Sequence, residues 1–263
     1  MKNINAFVHI EKAAGTSVIH MLRDTFSPAY ADVRPVAGED YWFKSSDLDW
    51  YLKAMPWLRI IGGHAVVPYS GLEERYKVKY FTVFRDPVNR YISQYRYWRS
   101  ALGRNITFEQ FMEISDSWNM QTKKIARDRK AISAIQTLQD KFSVYGLVEY
   151  MDLFVYELSE FFQCEMYQHR RNLTKNTADR TDELKGKYLQ DIINRNQEDI
   201  ELYNWVKTGI ESRIHNFDFN IKEQQSYTHR MLFDYALRKS YYEPISGIKR
   251  TLNGLPYYGS YGL

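Results

Sequence analysis

The chain of 263 residues holds a single cysteine, Cys164. That excludes an internal disulfide and a cysteine-built zinc site. His9, His20, His169, His215 and His229 show no metal-ligand spacing, so no metal is expected. No run approaches the roughly 20 apolar residues of a membrane span. MKNINAFVHI enters an apolar strand almost at once, too soon for a signal-peptide core, and a cytoplasmic protein is expected. No sign of charge dominates: 36 basic against 32 acidic residues leave a formal +4. A nucleic-acid binder concentrates its charge into a basic face, so no such partner is expected. Repeats and low-complexity tracts are absent as well.

Apolar residues reach 44%, enough for a sizeable core, and aromatics are plentiful, with 22 Tyr, 14 Phe and 6 Trp. Short apolar strands are predicted at Ile4–Ile10, Leu58–Gly62, Val78–Phe84 and Ser143–Glu149, each followed by turn or helix signals. Alternation of such strands with helical patterns predicts a three-layer α/β fold, with a mainly parallel central sheet flanked by helices. Ligands in such folds bind beyond the C-terminal strand ends. Ser27 to Trp57, with Pro28, Pro35, Gly38 and Pro56, reads as an irregular excursion. Thr181 to about Arg213 reads as helical, with Leu189, Ile192, Ile193, Ile200, Leu202, Tyr203 and Val206 as expected buried positions.

Two segments read as strand, loop and helix with a basic residue at the helix start. In the first, Phe7–Ile10 leads through EKAAGTS into an amphipathic helix. Gly15 permits close backbone approach, Thr16 and Ser17 bring hydroxyls and free N–H groups, and Lys12 adds a mobile charge, all of which suit an anion. The other reading is a tight turn beside a solvated lysine. GxxxxGK[ST] is absent, since Lys12 precedes the glycine, which argues against an ATPase or P-loop kinase. In the second segment, Arg85 ends an apolar strand, Asp86 is a good N-cap and Pro87 fits the first helical position. Val88, Tyr91, Ile92 and Tyr95 form the expected buried stripe. Ser93 lies well away from its centre, near Arg90, so Arg85 and Ser93 can reach one phosphate. The alternative is a structural Arg–Asp pair beside a surface serine. Two anion sites in one core imply a ligand charged at both ends. Between them, His64 follows Gly62-Gly63 at a strand end. It has the chemistry of a general base, although a lone histidine is more often structural.

These segments resemble the motifs of carbohydrate-type sulfotransferases that use 3′-phosphoadenosine 5′-phosphosulfate (PAPS), the broad family that includes heparan sulfate 2-O-sulfotransferase and bacterial relatives. HIEKAAGTS is similar to HIPKTGGTS, FRDPVNRYISQYRY to FRDPxxRxxSxYxY, and GGHAVVPYS to a GHxPY-type segment. NMQTKK at Asn119–Lys124 resembles NxQTR, and GLVEYMD at Gly146–Asp152 resembles GLxExFD. The five occur in family order over roughly Phe7 to Trp205. The resemblance implies a P-loop-like sulfotransferase fold in residues 1–214, followed by a C-terminal extension, 215–263, of unknown role. It also implies transfer of a sulfuryl group to an acceptor hydroxyl, on a saccharide or glycolipid, releasing 3′-phosphoadenosine 5′-phosphate (PAP).

Residue by residue, the resemblance gives Lys12 and His64 catalytic roles. It gives the 5′-phosphate to Lys12, Ala14, Gly15, Thr16 and Ser17, and the 3′-phosphate to Arg85 and Ser93. Gln121, Thr122 and Lys123 become candidates for substrate contact. A nucleotide kinase or other phosphotransferase, and a non-catalytic nucleotide-binding protein, are the competing readings. Three departures stand out: Glu11 replaces proline, Ala13-Ala14 replaces Thr-Gly or Thr-Ala, and Lys123 stands where arginine is usual. Glu11 places a carboxylate beside an anion site, so its side chain is expected to point away or to pair with a base.

Overall fold

The structure is a computed structural model that describes residues 1–36, 41–166 and 178–214. Its centre is a five-stranded sheet, all parallel, in the order β2-β3-β1-β4-β5. The strands are β1 (Asn3–Val8), β2 (Tyr30–Asp32), β3 (Ile60–Gly63), β4 (Lys77–Phe84) and β5 (Phe142–Leu147). Nine helices join and follow them among the described residues: α1 (Gly15–Phe26), α2 (Ser45–Ala54), α3 (Pro87–Ser100), α4 (Phe108–Met112), α5 (Met120–Ile125), α6 (Ala131–Lys141), α7 (Met151–Phe162), α8 (Ala178–Arg195) and α9 (Gln197–Ile214).

The expected three layers are present. Val18, Met21 and Leu22 of α1 join Phe154 and Leu158 of α7 on one face of the sheet, over Phe7, Phe81 and Ile60. On the other face, Leu48 of α2, Leu138 of α6 and Val206 of α9 cover Ile4, Ala6 and Ile61. A third cluster ties α3, α4 and α8 together through Tyr91, Tyr95, Phe108, Phe111 and Ile192. Strands covered on both sides need apolar residues at successive positions, which is why they read as short continuous runs.

Four strands fall where the sequence predicts them. The Ser27–Trp57 segment is more regular than expected, because it contains β2 and α2. β2 has only three residues, too few to show a period. In α2, only Asp47, Leu48 and Tyr51 are buried, too few for a clear stripe. Leu189, expected inside, is exposed, whereas Ile192, Leu202 and Val206 are fully buried. The extension at 215–263 lies outside the described residues. Among those described, no helix is long and apolar enough to cross a membrane.

β1 lies between β3 and β4, where the chain reverses its direction of travel across the sheet. Such switch points leave a crevice beyond the strand ends. The loops after β1, β3 and β4 open there, carrying Lys12, His64 and Arg85. The parallel register aligns Val8 with Gly63 and Phe7 with Gly62, so the next residues along, His9 and His64, emerge side by side.

Candidate active site

The loop after β1 is tightly wound. Lys12 and Ala14 both adopt left-handed backbone conformations, with φ of 65° and 55°, which cost a side-chain-bearing residue about 1–3 kcal/mol each. Ala14 is the N-cap of α1 and offers no side-chain hydrogen bond to it. Its carbonyl accepts from the amides of Ser17 and Val18. Helix starts without a capping side chain leave amide donors for another acceptor. Thr16 is exposed and Ser17 half-buried at this end. Gly15 has a different neighbour from the one its sequence context implies. A Cβ there would lie 1.9 Å from the His9 ring, so the missing side chain makes room for an imidazole.

His9 is buried, and its ring stacks on His64 at 3.9 Å between centroids, with 25° between planes. Burial, and then the neighbouring His64, hold its pKa well below the ordinary 6.5. The His64 side chain keeps 44% of its surface, and its Nδ1 lies 3.3 Å from Glu11 Oε1. The same oxygen lies 3.1 Å from Lys124 Nζ, which also donates to the His64 carbonyl at 2.7 Å. Glu11 therefore meets the second of its two expectations and pairs with bases. Burial pushes its carboxyl up, but Lys124 and the bond with His64 outweigh that and hold it well below 4.5.

Arg85 and Lys12 are brought together. Arg85 Nη1 donates to the Lys12 carbonyl at 3.1 Å. Burial lowers the pKa of both, and Arg85 lowers that of Lys12 further. Lys12 Nζ sits 4.3 Å from the centre of the Tyr97 ring. Among the described residues no carboxylate forms an ion pair with either cation. Two cations held close together and partly desolvated, with Glu149 and Asp86 acting on Arg85 only from beyond ion-pair distance, favour an anion.

The helix start after Arg85 is already occupied. Asp86 accepts from the Asn89 amide at 2.8 Å, and the Asp86 amide donates to Glu149 at 2.9 Å. That contact accounts for the glutamate of GLVEYMD. Its glycine, Gly146, leaves space for Phe154, since a Cβ would approach that ring within 2.6 Å. An anion at this second loop would thus meet the Arg85 guanidinium rather than bare amides. Ser93 is half-buried two turns into α3. Arg90, expected near Ser93 on the polar face, is fully buried instead. Burial lowers its pKa and Asp199, 4.0 Å away, opposes this.

Asp199 is also fully buried and organises α5. It accepts from the Gln121 amide at 3.1 Å, and from the Thr122 amide and hydroxyl at 2.7 Å each. Burial raises its pKa, against the pull of Arg90. Asn119, at φ 45°, exchanges bonds with the start of α9: its amide donates to Asn196, and its side chain accepts from the Asp199 amide. The Gln121 side chain then both donates to and accepts from the Arg85 backbone, at 2.9 Å each way. Gln121 and Thr122, candidates for substrate contact, are fully buried behind the Arg85 loop. Lys123 pairs with Asp116 at 3.1 Å, and its carbonyl accepts from Tyr69.

Sequence reasoning missed His9, Lys124, Arg90 and Asp199. His9 and Lys124 lay inside quoted motifs, and the strand register supplies the reason for His9. Asp199 gave no local signal, because its partners lie some 80 to 110 positions earlier in the chain.

A model of the sulfotransferase family matches residues 6–206. No curated protein matches in sequence. Among solved structures, a sulfotransferase from Alicyclobacillus acidocaldarius aligns over 76% of this chain and 96% of its own, with 13% identity and a TM-score of 0.42.

Proposed function

The chain belongs to the sulfotransferase family, and from that premise we propose that it moves a sulfuryl group from PAPS to the hydroxyl of a saccharide or glycolipid. The observation that carries this reading is the Lys12–Arg85 pair, two partly desolvated cations that form no ion pair among the described residues, beside the uncapped start of α1. In this scheme Lys12, the amides from Ala14 to Ser17 and the Thr16 hydroxyl hold the 5′-phosphosulfate. Arg85 and Ser93 take the 3′-phosphate, whose presence distinguishes PAPS from ATP. Gln121 and Thr122 act from behind, by fixing the Arg85 loop.

His64 takes the acceptor proton as the acceptor oxygen bonds to sulfur. The bond from sulfur to the bridging oxygen breaks, and its electron pair stays on the 5′-phosphate of PAP, where Lys12 stabilises the new charge. Positioning and charge stabilisation supply most of the rate, as in phosphoryl transfer. The scheme draws its positive charge from Lys12 and Arg85 and calls on no metal. The rings beside this centre, one exposed and one half-buried, support a sugar acceptor. Lys124 Nζ lies 5.1 Å from the Trp42 ring and 6.0 Å from that of Tyr41, which is 53% exposed. Aromatic faces of this kind suit the apolar faces of sugar rings. A single cysteine suits a reducing compartment, so the reading includes a cytoplasmic setting.

Thermal unfolding with PAP, ATP, or ATP and magnesium tests the donor. PAP alone should raise the midpoint clearly, while a larger rise with ATP and magnesium would favour a kinase. Labelled sulfate from PAPS, offered to desulfated glycosaminoglycans, glycolipids and simple phenols, tests the acceptor. His64→Ala should lose about 10²- to 10⁴-fold in turnover. Transfer at the parent rate would remove the base assignment.

A further inference from the structure

Glu11 has no counterpart among the family motifs quoted above, and its surroundings give it a task. Three contacts restrain His64 from separate directions. The stacked His9 ring fixes the plane of the imidazole. Lys124 fixes the backbone beneath it through the His64 carbonyl. Neither sets how the ring turns within its plane, nor which nitrogen carries the proton. Glu11 Oε1, at 3.3 Å from Nδ1, does both. Lys124, bound to the same oxygen and almost fully buried, keeps that oxygen negative and in place. An ionised carboxylate only accepts hydrogen bonds, so the nitrogen facing it carries the proton.

We propose that Glu11 is a positioning residue for His64: it holds the proton on Nδ1 and leaves Nε2 unprotonated toward the acceptor hydroxyl. When Nε2 takes the acceptor proton, the imidazolium forms against the Glu11 carboxylate. His9 and Lys124 also adjoin the ring and its backbone. His9 is neutral near pH 7, and Lys124 is already committed to Glu11. The stabilising charge next to the imidazolium is therefore that of Glu11. In this chain a carboxylate from the phosphosulfate loop does the work of the third member of a nucleophile–base–orienter relay.

The proposal rests on His64 acting as the base, but its main test does not require turnover. Protein labelled with ¹⁵N in histidine rings, with His64→Ala to assign the signal, reports the tautomer of His64 directly. The parent should show Nδ1–H. Glu11→Pro, which restores the family residue, should show mainly Nε2–H, the form a free imidazole prefers. Glu11→Leu combined with Lys124→Met removes both charges together, leaves neither unpaired, and should give the same change. PAP should bind all three proteins alike, which shows that the loop is intact.

With the best acceptor from the panel, turnover should fall about 10²-fold in both variants, the low end of what a well-placed base contributes, with KM for PAPS nearly unchanged. An Nε2–H parent, or a tautomer unmoved by both variants, overturns the proposal. Failure of PAP to bind the parent would instead overturn the donor assignment and leave the tautomer result standing.

Discussion

The two ends of α5 meet opposite environments. At its start, every polar group of Gln121 and Thr122 named above has a partner, in Asp199 or in the Arg85 backbone. At its end, Lys124 reaches into a cluster that is strained, crowded and half open to solvent. That cluster contains a stacked histidine pair, a buried carboxylate and two left-handed residues, Lys12 and Ala14, in the loop after β1. The first arrangement is a support and the second a poised site. A buried network with all its bonds made rigidifies what it touches. Strain persists only where the surroundings over-determine it. The short helix α5 joins the two.

Removing the support should have the largest effect. Asp199→Ala strands the Arg90 guanidinium in the core and strips the start of α5. It should cost about 3–5 kcal/mol, the range for breaking a buried ion pair. Denaturant unfolding would measure this, and a loss under 1 kcal/mol would mean that the support is dispensable. A smaller structural cost but a sharper functional one is expected at the poised end. Gly15→Ala drives a methyl group into His9 and should cost about 1–3 kcal/mol. Because His9 carries the His64 ring, sulfate transfer should fall further than stability accounts for. Equal turnover per folded molecule would show that the stack has no bearing on activity.

The smallest expected effect concerns acid. The folded-state pKa of His9 lies below its unfolded value, so the unfolded chain binds more protons below about pH 6.5. The contribution of His9 is then complete above that pH and is lost as pH falls toward the folded value. His9→Gln should flatten the stability curve below about pH 6.5 by no more than about 1.4 kcal/mol per pH unit. An unchanged slope would place the acid sensitivity elsewhere. Glu11 behaves in the same direction but lower down, its contribution fading only below about pH 4.5.

Legibility in the sequence followed the same division. Four of the five strands, Lys12, His64, Arg85 and the Asp86-Pro87 cap are local patterns, readable from neighbours in the chain. Glu11 stood out because it broke a motif, and pairing with a base was one of the two outcomes expected of it, though no base was named. Arg90 was misjudged because helical spacing placed it on the polar face. The spacing cannot reveal a counter-ion arriving from α9. His9 and Lys124 sat in plain view, but their meaning depends on which strand lies beside which, information that pairing supplies and composition does not. Gln121 and Thr122 illustrate the converse. A motif can mark residues whose task is to hold another loop rather than to touch a ligand.

The register of β1 against β3 has one further consequence. His9 and His64 are 55 positions apart, yet their spacing is set by a backbone ladder four pairs long, not by the chain that joins them. Lengthening that joining chain would leave the two rings where they are. The entropic toll is small, about 0.6 kcal/mol for each doubling of a flexible loop. Around its buried anchors Phe43 and Leu48, the segment that carries Trp42 toward Lys124 can therefore vary at its exposed positions, and a lineage can change what approaches the site without retuning the chemistry inside it.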